Sequence, residues 1–167
     1  MSIIKVVKKE DSGIERLQAI LPYVERVSAT RSEFIYGVGV STNEAYRQMM
    51  LVKETYGQEN GKAYFHYILN PDESDYSELN NKQLFNTGCK IAELLSNFYG
   101  NYQVIMALHF DTDSHLHFIT NNIDYITGNR LDLSPHKLAE LKMKISEILT
   151  LAGITPVLQY YFYENDE

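Results

Sequence analysis

Apolar positions along the chain recur with two periods, near two and near 3.6, and these predict short strands interleaved with longer helices. Ser2 to Lys9 carries the β-branched residues Ile3, Ile4, Val6 and Val7 and predicts a strand. Ile14, Leu17, Ile20, Leu21, Val24 and Val27 follow at helical spacing, and Pro22 is expected to end or kink that helix near Leu21. Phe34 to Val40 predicts a second strand. Ser41-Thr42-Asn43-Glu44 fits a capping box that opens a helix to about Tyr56, with Gly57 closing it. Lys62 to Leu69 predicts a third strand in which Tyr64, His66 and Ile68 share one face, and Asn70-Pro71-Asp72 breaks it. Ser77 to Tyr99 predicts a long helix with Leu84, Cys89, Ile91, Ala92, Leu94, Leu95 and Phe98 as its buried stripe. Tyr102 to Phe110 and Ser114 to Ile123 predict a hairpin. Ser134-Pro135 starts a helix to about Ala152, and Ile154 to Tyr163 predicts a last strand.

The hairpin concentrates the candidate chemistry. It reads His109-Phe110-Asp111-Thr112-Asp113-Ser114-His115-Leu116-His117-Phe118-Ile119-Thr120-Asn121 and holds three of the five histidines. Strand parity puts His115, His117, Ile119 and Asn121 on one face and Leu116, Phe118 and Thr120 on the other. A turn at Asp111 to Ser114 brings His109 opposite His115 or His117, where paired Cβ atoms stand roughly 5 Å apart. Three imidazoles then converge with Asp111 beside them, which outlines a divalent metal site. Imidazole suits zinc, copper, iron, nickel or manganese, so ligand type alone does not choose among them.

The order of elements is β-α-β-α-β-α-β-β-α-β. An open metal site needs an uncovered face. The expected fold is therefore α+β, a mostly antiparallel sheet of about five to six strands. Helices are expected on the face of Met106, Leu108, Leu116 and Phe118, with the metal site open on the other.

Composition adds constraints. At 167 residues the chain is expected to be one domain with a sizeable core. Cys89 is the only cysteine, which excludes a disulfide within the chain and fits a reducing, cytoplasmic setting. No apolar run spans a bilayer, and Lys5, Lys8 and Lys9 interrupt the first apolar run, unlike a signal peptide. The net charge of −7 is uneven, +1 up to Tyr56 and −8 from Gly57 onward. Such a balance argues against nucleic-acid binding, because phosphate contacts need Lys and Arg.

Against that objection stands a resemblance. His109-x-Asp111, His115-x-His117 and Asn121, followed by Gly128 and Ser134, resemble the third motif of MobA-type mobilisation relaxases in the HUH endonuclease superfamily, whose His-hydrophobic-His pair is here His115-Leu116-His117. Ala63 to Ile68, with His66, resembles the family's second motif. Gly37 to Val40, then Ala45 and Lys53, resemble the segment between motifs. Leu21-Pro22-Tyr23-Val24 resembles the first motif, which holds a nucleophilic tyrosine. The resemblance covers nearly the whole chain, read as a single relaxase-like nuclease domain over 1–167 with no appended C-terminal domain in this chain.

The resemblance implies a metal-dependent endonuclease that nicks one strand of a plasmid or conjugative transfer origin by transesterification. It implies Tyr23 as nucleophile, with His66 and Asp111 assisting. Mg²⁺ or Mn²⁺ would lie on His109, His115 and His117, and Lys53 and Asn121 would contact DNA. The implied partners are single-stranded origin DNA, accessory mobilisation proteins and a coupling protein. One rival is a relaxase-like protein that binds DNA or metal without cutting. Another is a non-haem iron oxygenase, since His-x-Asp with a distal His fits a two-histidine, one-carboxylate triad. The helices interleaved with strands argue against that one.

Overall fold

The strands β1 (Ser2–Lys8), β2 (Ile35–Val38), β3 (Tyr64–Asn70), β4 (Val104–His109), β5 (His115–Asn121) and β6 (Val157–Glu164) form one sheet in the order β2-β4-β5-β3-β1-β6. The computed structural model describes residues 2–8, 12–76 and 80–164. Neighbouring strands are antiparallel except β1 and β6, which run parallel. The mostly antiparallel α+β fold thus holds. The side chains of β6, including the aromatic run Tyr160 to Tyr163, lie outside the described residues.

Register assigns the faces. Met106 pairs with Phe118 and Leu108 with Leu116, while Ala107 pairs with His117 and His109 with His115. On the first face, α4 (Asn81–Asn97) and α5 (Pro135–Leu151) bury Leu84, Ile91, Leu95, Leu141, Ile145 and Leu149 against Met106, Leu108, Leu116 and Phe118. A Cβ on Gly88 would stand 2.9 Å from Leu116 and 3.1 Å from Met106, so the absent side chain lets α4 approach the hairpin closely.

The sequence predicts an uncovered histidine face, but that face carries helices as well. α1 (Ile14–Val24) and α2 (Ala45–Thr55) pack Leu17, Ile20, Leu21, Val24, Ala45 and Met49 on Ile105, Ala107 and Ile119. The reason lies in the same alternation. Ile105, Ala107 and Ile119 precede or follow the histidines on their own face and need cover, so the helices close one end of that face and frame the other.

Local boundaries differ in instructive ways. Pro22 lies inside α1, which continues to Val24. Proline removes only its own N–H bond, and buried Leu21 and Val24 hold the last turn by packing. Ser41 to Glu44 makes no capping box; Thr42–Glu44 is a 3₁₀ turn, and α2 starts at Ala45. Gln48 supplies the cap instead, accepting from the Ser41 N–H at 2.8 Å and donating to its Oγ at 3.2 Å. α4 begins later than expected, at Asn81, after a capping box between Asn80 and Gln83; residues 77–79 lie outside the described ones. The single turn α3 (Glu73–Tyr76) precedes it. Ser134 caps α5 with proline at its first position, as the sequence predicts.

Candidate metal centre

Each histidine of the hairpin has one ring nitrogen engaged by the fold and one left over. His109 is fully buried and donates from Nε2 to the Val24 carbonyl at 2.7 Å. Val24 ends α1, so its carbonyl lacks a partner within the helix and is available to fix a ring. His115 donates from Nδ1 to the Asp113 carbonyl at 2.7 Å. His117 pairs through Nδ1 with Nε2 of His66, 2.8 Å away on neighbouring β3. That leaves Nδ1 of His109 and Nε2 of His115 and His117. The ring centroids stand 4.2 to 5.2 Å apart, and one ring nitrogen from each histidine lies within 4.8 Å of the others.

Two features show that this donor set fits a divalent ion. Nδ1 of His109 is buried with no hydrogen-bond partner, and such a group in a folded core calls for a ligand. Two of the rings, His117 and His109, are also biased toward the neutral form that a ligand needs. Burial pulls the His117 imidazole far below its ordinary value, and the neighbouring histidines pull it further. Burial lowers His109 in the same way, against the opposing pull of the Val24 carbonyl.

The other expected residues divide. Tyr23 is half exposed, and its ring centroid lies 6.4 Å from those of both His109 and His117. His66 is buried and touches the cluster through His117. Asp111 is exposed and pairs with Arg26 at 3.2 Å. It orients no ligand imidazole; Val24, Asp113 and His66 do that. Burial would raise its carboxyl, but its own backbone N–H, Arg26 and the nearby histidines hold it below the usual range.

Lys53 and Asn121, expected to contact DNA, are both 0% exposed, with their polar atoms turned into the fold. The Lys53 ammonium donates to the Ala63 carbonyl at 2.6 Å and to Oδ1 of Asn121 and Asn122 at 2.6 and 2.8 Å. Asn121 in turn donates to Gln103 Oε1 at 2.9 Å. The two form an internal polar clamp that ties α2 to β5. Burial, with nearby Arg130, pulls Lys53 down to about 7.

Arg26 is the residue the sequence reading passed over. Its guanidinium lies 4.1 Å above the Tyr23 ring, donates to the Tyr23 carbonyl at 2.8 Å and reaches Asp111. Its position three residues after Tyr23, on the same side of a helix end, was a usable signal. His136 is exposed at the start of α5 and takes no part. Among the described residues, no helix is long and apolar enough to cross a membrane.

A mostly antiparallel α+β sheet carrying a tri-histidine centre beside a half-exposed tyrosine defines a class of protein with a built metal site. The family model described as "Relaxase: MobA/VirD2-like, nuclease domain" matches residues 23–152, and the chain belongs to that family. No curated protein matches it. Among solved structures, the chain is similar to the Mn-bound relaxase domain of MobM in complex with origin DNA of plasmid pMV158. In one such structure the identity is 11% and the TM-score 0.67, over 93% of this chain and 88% of that one. In a second, at pH 4.6, the identity is 12% and the TM-score 0.66, over 95% and 90%. A structure from work on vancomycin resistance transfer in Staphylococcus aureus aligns at 12% identity and TM-score 0.51, over 79% and 76%. At these identities the likeness concerns the fold.

Proposed function

We propose that this relaxase domain nicks one DNA strand at the transfer origin of a mobile element, with Tyr23 as nucleophile. The observation that carries the reading is the unpartnered, buried Nδ1 of His109 within a triad whose rim holds Tyr23. A divalent ion, Mn²⁺ or Mg²⁺, held by His109, His115 and His117 would neutralise charge on the scissile phosphate and fix its orientation. Manganese in the MobM structures supports that choice.

The chain's own residues supply the rest. Tyr23 Oη forms a bond to phosphorus; the P–O3′ bond breaks, and its electron pair leaves as a 3′-hydroxyl after protonation. The product is a 5′-phosphotyrosyl link that keeps the ester's energy for rejoining. A phenol near pKa ~10 needs help at neutral pH. Asp111, ionised and exposed on the rim, accepts the phenolic proton. Arg26 bridges Asp111 and Tyr23 and holds both in place. His66 acts through His117: by accepting from its Nδ1–H, it leaves Nε2 as the donor atom for the ion.

Partners in this reading are single-stranded origin DNA, accessory mobilisation proteins and a coupling protein, in a cytoplasmic setting. The test is supercoiled plasmid bearing the cognate origin, incubated with Mn²⁺. The expected product is nicked DNA with a protein-blocked 5′ end, lost with EDTA and in Tyr23→Phe. Full nicking by Tyr23→Phe would remove Tyr23 from the mechanism.

The net charge of −7 favours a second reading, a member that binds DNA or metal without cutting; an intact plasmid with retained Mn²⁺ binding would select it. The iron oxygenase loses support, because Asp111 pairs with Arg26 and lies outside the ligand triad.

A further inference from the structure

Beside the histidine cluster lies a cleft of about 450 Å³, within the range of small-ligand sites. Its floor is apolar, formed by Val7 of β1 and Ile68 of β3. Both share the face of His66, since Val7 pairs directly with His66 and Ile68 follows it by two. One wall is a stripe of α1: Arg16, Ala19, Ile20 and Tyr23, at spacings of three, one and three. His66 and His117 close the end at the metal centre.

The two ends differ in charge and in function. Tyr23 and Arg16 are separated by seven residues of helix, about 10 Å along the axis at ~1.5 Å per residue. Arg16 is half buried and makes no hydrogen bond or ion pair among the described residues. Its partner is therefore not supplied by the described fold. In a chain of net charge −7, a guanidinium in a cleft with no partner among the described residues is a specific feature. It also sits in the first turn of α1, where helix N–H groups favour an anion.

We propose that this cleft holds the nucleotide next to the scissile phosphate of a single-stranded DNA substrate. The base lies on Val7, Ile20 and Ile68 against the Tyr23 ring, and the following phosphate meets Arg16. The proposal rests on the nuclease reading and adds to it the path of the strand. An apolar floor suits a base face, which stacks with little regard to sequence. Guanidinium is the side chain best matched to phosphate oxygens. The separation of Arg16 from Tyr23 suits one or two nucleotides of extended strand. The arrangement also answers the acidic balance of the chain: contact is concentrated in a local cleft with its own cation.

The test reads binding rather than cutting, so it is independent of nicking. The protein is the full chain carrying Tyr23→Phe, and the probe is a fluorescein-labelled, mixed-sequence single-stranded 20-mer with Mn²⁺. Arg16→Gln is expected to reduce the slope of log affinity against log salt by about 0.7, the loss of one phosphate contact on a single strand. The chain has no tryptophan, so Ala19→Trp, at an exposed position of the wall, introduces one reporter. Saturating DNA is expected to quench that emission, and to leave Leu151→Trp, 89% exposed on α5, unchanged. An unaltered salt slope in Arg16→Gln, an unquenched Ala19→Trp, or no binding of the 20-mer at all overturns the proposal. Failure of Mn²⁺-dependent nicking by the chain with Tyr23 intact, alongside the expected quenching, would instead overturn the nuclease reading and leave the cleft as a site for a nucleotide of bound single-stranded DNA, with no scissile phosphate beside it.

Discussion

Leu116 and His117 are neighbours in β5 and face opposite sides of the same sheet. On the Leu116 side, α4 and α5 complete an apolar core, and Met106, Leu108, Leu116 and Phe118 are all 0% exposed. On the His117 side, α1 and α2 cover Ile105, Ala107 and Ile119 but leave a cleft that His66 and His117 line. Both faces are packed near the hairpin, but among the described residues only the His117 side leaves a buried ring nitrogen without a partner. The difference shows how one hairpin divides its work: alternate residues carry stability and metal binding, and a one-residue register slip would exchange them.

The sharpest way to break this comparison is to truncate the two neighbours separately. His117→Ala should abolish measurable Mn²⁺ binding in calorimetry. Leu116→Ala should cost about 2–5 kcal/mol of stability in denaturant unfolding yet keep its affinity for Mn²⁺. Equal loss of metal affinity in both variants would show that the faces are not independent.

Metal linkage gives the next largest effect. Mn²⁺ at a hundred times its Kd should stabilise the native chain by about 2.7 kcal/mol, read as a rise in Tm, and EDTA should reverse it. His117→Ala should show no rise. His66→Asn should then weaken Mn²⁺ roughly 10- to 100-fold, the usual effect of losing a group that orients a ligand. An unchanged affinity would limit His66 to packing.

A pH effect lies at the end of α1. Burial raises Glu25 from 4.5 to about 7, and its Oε1 lacks a hydrogen-bond partner. The folded chain keeps a proton there that the unfolded chain releases, so this group makes stability fall as pH rises from 4.5 to 7. Glu25→Gln should flatten that slope in urea titrations across the same window. An unchanged slope would place the pH dependence elsewhere.

Much of the site was legible because it rests on local rules. Parity put His115 and His117 together, and a short polar turn brought His109 across, directly opposite His115. His66 was readable as sharing its face with Tyr64 and Ile68, but its bond to His117 required knowing that β3 lies beside β5. The burial of Lys53 and Asn121 was not legible, because a charged or amide side chain in sequence carries no mark of it. Their three-acceptor clamp forms only when α2 meets the end of β5. Arg26 carries a local signal in its spacing from Tyr23, but its pairing with Asp111, 85 positions away, does not show in the sequence.

The sequence by itself determined the strands and helices, the two faces of the hairpin and the convergence of three imidazoles, because side-chain alternation and a short turn act over a few residues. The tertiary structure alone decided which nitrogen of each ring is free, which cations are buried or exposed, and how α1 stands over the histidine face. Those outcomes depend on carbonyls, carboxylates and apolar surfaces supplied by distant segments, and no local period in the chain encodes them.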